Sequence, residues 1–146
     1  MKVYLDNCCL QRPLDDKSQL RVQIESEAVL AVLSLHEQRQ IELISSEVLE
    51  FEVEQNPDRL RRTYVLEVLA QAAMVVRVDE AIHMRAREFE FHGIRGMDAL
   101  HLACAEAAGA TYFCSCDDRL LRKARMFSSV RVKVVSLLEL VEELMK

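Results

Sequence analysis

Short segments that are apolar along their whole length alternate with helical stretches from one end of the chain to the other. This predicts an α/β fold: three layers, α/β/α, around a central, mostly parallel five-stranded sheet. Composition points the same way. A chain of 146 residues can bury a core without disulfides or a structural metal. With 51% hydrophobic and 29% charged residues but only 3 Gly and 2 Pro, nothing reads as a disordered linker. No repeat period and no Pro/Gly/Ser-rich boundary divides the sequence, so residues 1–146 are expected to form a single domain.

Lys2 to Asp6 reads as a short buried strand that ends on an acid. From Leu20 to Leu35, apolar residues recur at helical spacing through Val22, Ile24, Ala28, Val29, Val32 and Leu33. Ile41 to Ser45 is the second strand, Ser46 a helix N-cap, and Glu47 to Glu54 a short helix that stops before Asn56 and Pro57. Arg59 to Ala72 forms another helix. Met74 to Val78 is a β-branched run ended by Asp79, which caps a helix from Glu80 to Phe91; Gly93 closes it. Asp98 to Ala108 is a strongly apolar helix ended by Gly109, Thr111 to Ser115 a strand, and Asp117 the opening of a helix through Arg125. Arg131 to Val135 and Ser136 to Met145 make the last strand and helix.

Several function classes fall away on composition. No apolar run approaches the roughly 20 residues needed to span a bilayer, and Met1 to Asp6 is strand-like, so neither a signal peptide nor a membrane anchor is expected. Five cysteines, including the adjacent Cys8 and Cys9 and the closely spaced Cys114 and Cys116, do not form a secreted disulfide pattern; a reducing cytoplasm fits better. A net charge of −5 argues against broad adhesion to nucleic acid, although a site made of carboxylates itself lowers the net charge. Local basic groups remain, at Arg59, Arg61 and Arg62 and at Arg119, Arg122, Lys123 and Arg125; each cluster alone reads as a solvated helix face. There is no Gly-x-x-x-x-Gly-Lys or Gly-x-Gly-x-x-Gly loop for a nucleotide, and Asn7 and Cys8 stand where an aspartyl phosphotransferase would place a second Asp.

The acids at strand ends are the chemistry-bearing candidates, because open parallel sheets bind ligands outside the carboxyl ends of their strands. Asp6 ends the first strand and Asp117 follows the fourth, so they approach each other if those strands are neighbours. Asp98 opens a helix too apolar for the surface, and Glu52 sits among Leu49, Phe51 and Val53. Singly, Asp6 reads as a turn former, Asp98 and Asp117 as caps, and Glu52 as one glutamate beside Glu47, Glu50 and Glu54. Together they form a cluster that repels itself unless a cation neutralises it. His101, three residues after Asp98, reads as packing on the helix surface, with support of a metal as the other reading. Cys8, Cys9, Cys114 and Cys116 would permit a zinc site if the first and fourth strands are adjacent; buried apolar thiols are the plainer reading.

VYLDNCC, SSEVLEFEV, GIRGMDALHLACAEAAGATYFCSCDDRLLRKA and VVSLLEL together make the chain resemble a PIN domain over essentially its whole length, in particular the small VapC-like toxin ribonucleases. The strongest part is the Asp-Ala-Leu-His-Leu-Ala segment at Asp98, followed by a strand and the Ser-x-Asp of Ser115 and Asp117, where Ser keeps the hydroxyl of the family's frequent Thr. The resemblance implies that Asp6, Glu52, Asp98 and Asp117 bind Mg²⁺ or Mn²⁺ to hydrolyse RNA phosphodiesters, with Asn7 and Ser115 as polar supports. Glu47 and Glu50 are the rivals of Glu52, and Asp118 of Asp117. It further implies a homodimer and a cognate antitoxin whose tail covers the cleft. The competing expectation is a catalytically weak PIN-fold module that acts by binding a protein partner.

Overall fold

The computed structural model describes residues 1–146. Its five strands are β1 (Lys2–Leu5), β2 (Glu42–Ser46), β3 (Met74–Val76), β4 (Tyr112–Cys114) and β5 (Lys133–Val135). They form one sheet in the order β3-β2-β1-β4-β5, and every pairing is parallel. The helices are α1 (Asn7–Gln11), α2 (Leu20–Glu37), α3 (Glu47–Glu54), α4 (Arg59–Ala70), α5 (Glu80–Phe91), α6 (Gly96–Ala107), α7 (Asp118–Met126) and α8 (Leu137–Leu144). Helices lie on both faces of the sheet, giving the three α/β/α layers. No helix is long and apolar enough to cross a membrane.

Two adjacent inner strands are buried: Val3, Tyr4 and Leu5 of β1, and Tyr112, Phe113 and Cys114 beside them on β4. Burial on both faces removes the polar alternation of a half-exposed strand, which is why these segments read as continuous apolar runs. Strand order reverses at β1, with β2 on one side and β4 on the other, so the carboxyl ends of β1 and β4 flank the point where such sheets bind ligands.

β3 and β5 are each two residues shorter than the sequence suggests, and two further departures bear on the site. Asp6 does not end β1 but caps α1, a short helix followed by a 3-10 turn at Arg12–Leu14 that no apolar periodicity announces. Helix α6 begins at Gly96 rather than Asp98, so Asp98 lies in the first turn instead of at the cap, and Arg95 precedes the helix without a side-chain cap. Gly93, at φ +96°, closes α5 as expected.

The far end of α6 is anchored through Glu106, whose carboxylate receives Arg85 of α5 at Nε (2.7 Å) and Nη2 (3.1 Å) and the backbone N–H of Arg131 (2.7 Å). At the chain's end, Ser136 and Glu139 form a reciprocal cap on α8. Ser136→Ala is expected to cost about 1 kcal/mol and to lower the thermal midpoint by roughly 2–4 °C, read by circular dichroism.

Candidate metal centre

Asp6 leaves β1 and turns its carboxylate back onto the sheet. Its Oδ1 accepts the Asn7 N–H (2.8 Å) as the cap of α1, and its Oδ2 accepts the Ser115 hydroxyl (2.9 Å) from the end of β4. Ser115 in turn accepts the Asp117 N–H at 3.0 Å. The adjacency of β1 and β4 therefore joins Asp6, Ser115 and Asp117 in one network. Asp117 itself caps α7 by accepting the N–H groups of Arg119 and Leu120.

Glu52 arrives from α3, and a chain of hydrogen bonds explains its position. The Ser46 hydroxyl accepts the Leu49 N–H (3.0 Å) as the cap of α3 and meets the Tyr4 hydroxyl at 2.7 Å. Tyr4 meets His101 Nδ1 at 2.7 Å, and His101 Nε2 meets Glu52 Oε1 at 3.1 Å. One assignment of hydrogens satisfies every link: Ser46 donates to Tyr4, Tyr4 donates to Nδ1, and Nε2–H donates to Glu52. His101 thus corrects the expectation of a surface residue. It is fully buried, and its Nε2 also lies 3.9 Å from Asp6 Oδ1. The apolar character of α6 is the reason, because a helix buried on most of its circumference carries its histidine inward.

Asp98 approaches from the first turn of α6. Asp6, Glu52, Asp98 and Asp117 line one cavity of about 380 Å³, together with Asn7, Cys8, Gln11, Arg12 and Asp15. The rivals point elsewhere: Glu47 accepts the Val78 N–H at 2.7 Å, Asp118 is paired with Arg21 at 2.8 Å, and Glu50 does not line the cavity. A fifth acid, Asp15, is an addition from the turn after α1, already neutralised by Arg61 at 2.6 Å and Arg12 at 3.0 Å. A second cavity of about 180 Å³ shares Asp98 and Asp117 and adds Arg95, Arg119 and Lys123. Of the basic groups read from the sequence, Arg119 and Lys123 thus border the acids, whereas Arg61 is held by Asp15 and Arg125 by Glu139.

Burial, and after it the Cys8 sulfur, push the Asp6 carboxyl up to about 8, against the opposing pull of His101 and of the Ser115 hydroxyl. Burial raises Asp98 as well, aided by the nearby Asp117. Burial by itself would pull His101 down, but its bond to Glu52 and the charge of Asp6 overcome that and leave it raised. The carboxylate oxygens of Asp6 and Glu52 and a ring nitrogen of His101 lie within 4.8 Å of one another, with the nitrogen engaged in holding Glu52. Asn7 Oδ1 is buried beside them without a hydrogen-bond partner. Oxygen donors that repel one another and an acceptor lacking a donor are what a hard divalent cation resolves, so these residues fit such an ion.

A model of the PIN domain family matches residues 9–126. The chain belongs to the PIN domain family. The matched segment contains Glu52, Asp98 and Asp117 and begins three residues after Asp6. Among solved structures, the PIN fold of this chain is similar to a chain of VapBC2 from Rickettsia felis, bound to a DNA fragment from their promoter, at 11% identity and TM-score 0.60, over 93% of this chain and 98% of that one. It is likewise similar to a chain of DNA-bound VapBC from Salmonella typhimurium, at 13% identity and TM-score 0.59, over 94% and 98%. No curated protein sequence matches. At these identities the structural likeness speaks for the fold.

Proposed function

We propose that the protein is a divalent-metal-dependent endoribonuclease, the toxin of a toxin–antitoxin pair. The observation that carries this reading is the meeting of Asp6, Glu52, Asp98 and Asp117, from four separate parts of the chain, in one open cavity at the carboxyl edge of the sheet. The four carboxylates would hold Mg²⁺ or Mn²⁺. When bound, such an ion polarises a phosphodiester oxygen and lowers the pKa of water at neutral pH.

The chain's own residues prepare that chemistry. Ser115 and the Asn7 N–H hold both oxygens of Asp6, and the Ser46–Tyr4–His101 chain fixes Glu52, so the donors need little rearrangement on binding. Arg95 and Arg119, neither of them in an ion pair, border Asp98 and Asp117 and are placed to hold backbone phosphates next to the reacting one. Arg119→Ala is expected to weaken RNA binding similarly for every sequence and to reduce the slope of log affinity against log salt by about 1, read by fluorescence anisotropy at several salt concentrations.

The two VapBC structural relatives support an antitoxin partner, and the resemblance to VapC-like toxins implies a homodimer. The deciding experiment is cleavage of a mixed RNA pool, with a single-stranded DNA pool beside it, by protein purified free of copurifying peptide. Cleavage of RNA with Mn²⁺ or Mg²⁺ that stops with EDTA is the expected result. Intact RNA under every metal would overturn the reading in favour of the protein-binding module. A short gene upstream in the same operon, and growth arrest on expression of the chain alone, are expected for a toxin.

A further inference from the structure

We infer that Cys8, Cys9 and Cys116 form a second metal site, for a thiophilic d¹⁰ cation of the zinc class, behind the acidic cavity. The topology brings the thiols together: Cys8 and Cys9 lie in α1 directly after β1, and Cys116 follows the end of β4, the strand paired with β1. Their three sulfurs lie within 4.8 Å of one another. The Cys9 and Cys116 sulfurs are 3.5 Å apart, and Cys114 places a fourth sulfur 4.0 Å from Cys9. Zinc–sulfur bonds of about 2.3 Å in a tetrahedral site require sulfurs about 3.8 Å apart, so the spacing is already near that of a loaded site.

Two features favour a ligand set over apolar filling. The Cys8 sulfur accepts the Cys116 backbone N–H at 3.3 Å, lies 3.5 Å from the Ser115 hydroxyl and points its own S–H at Asp6 Oδ2 at 3.5 Å, so that once this proton leaves two donors face a coordinating thiolate. Cys8 also lines the acidic cavity while Cys9 is fully buried, which gives an ion a route to the inner sulfurs. The chemistry differs from that of the carboxylates: soft sulfur selects zinc-class ions, hard oxygen selects Mg²⁺ and Mn²⁺. Binding is ligand exchange without electron transfer. Three S–H bonds break, their protons pass to solvent, and three sulfur–metal bonds form.

The test is titration of the full chain, kept reduced with a phosphine, with Cd²⁺ as a spectroscopic stand-in for Zn²⁺. A thiolate-to-metal charge-transfer band that saturates at one equivalent, and that does not form with Mg²⁺, is expected. The band should be lost in Cys9→Ser/Cys116→Ser and in the half-buried Cys8→Ser, whose fold is checked by circular dichroism. It should remain in Glu52→Gln/Asp98→Asn, which separates this site from the acidic centre and from the fate of the nuclease reading. Absence of the band in folded wild-type protein, or an equal band in folded Cys8→Ser, would overturn the proposal.

Discussion

Asp98→Asn is expected to lower RNA cleavage by roughly 10³-fold, because a bound divalent ion contributes several kcal/mol of charge stabilisation at about 1.4 kcal/mol per decade of rate. Asn keeps the shape of the side chain and removes the charge. Asp98 suits this test better than Asp6: no hydrogen bond fastens it to the rest of the protein, whereas Asp6 accepts from both Asn7 and Ser115. Its carboxyl is already raised by burial and by Asp117, so neutralisation relieves repulsion and should leave the metal-free thermal midpoint unchanged or higher. Single-turnover cleavage at saturating Mn²⁺ measures the effect, with circular dichroism as the control for folding. Glu52→Gln should fall similarly, while Glu50→Gln, outside the cavity, should keep wild-type rates. Cleavage by Asp98→Asn within tenfold of wild type would remove Asp98 from the proposed quartet.

That experiment also probes how far the site could be read from the residues. Parallel strands buried on both faces announce themselves as apolar runs, and Ser46, Asp79 and Asp117 announce the helices they cap, so the order of elements was legible apart from α1 and its 3-10 turn. Lateral strand order was not. The approach of Asp6 to Ser115 and the convergence of the thiols both depend on β1 lying beside β4, which no local pattern encodes. His101 was misread for a related reason: its spacing from Asp98 was visible, but the depth of α6 comes from packing that periodicity does not report. Asp15 and Arg12 went unnoticed because they sit around a 3-10 turn, where neither a period of 3.6 nor of 2 applies. Arg95 stood alone in the sequence and joins Arg119 and Lys123 only because α6 and α7 both start at the same edge of the sheet.

Raising the pH should destabilise the metal-free protein, and divalent ions should reverse the loss. The folded Asp6 carboxyl titrates near 8 against an ordinary value of 3.8, because burial disfavours its anion. Between those values the native state holds a proton that the unfolded chain has released. Stability from this group is therefore fully present below about pH 3.8 and is lost as the pH rises through 8. His101, raised by its hydrogen bond to Glu52 against the opposing effect of its burial, acts in the same direction above its ordinary value of 6.5. The loss for Asp6 is on the order of a few kcal/mol, equivalent to a fall of the thermal midpoint on the order of 10 °C. Groups elsewhere titrate too, so the informative quantity is the difference between wild type and Asp6→Asn, which lacks the titrating proton and should show a flatter profile between pH 5 and about 8. Mg²⁺ or Mn²⁺ binds the anionic form and must displace that proton, so the ion should raise the wild-type midpoint strongly at about pH 8 and little near pH 5. Differential scanning fluorimetry across pH, with and without Mn²⁺, reads both effects. Equal metal stabilisation at the two ends of the range would mean that the ion does not compete with a proton on Asp6, and would place its binding away from the β1–β4 edge.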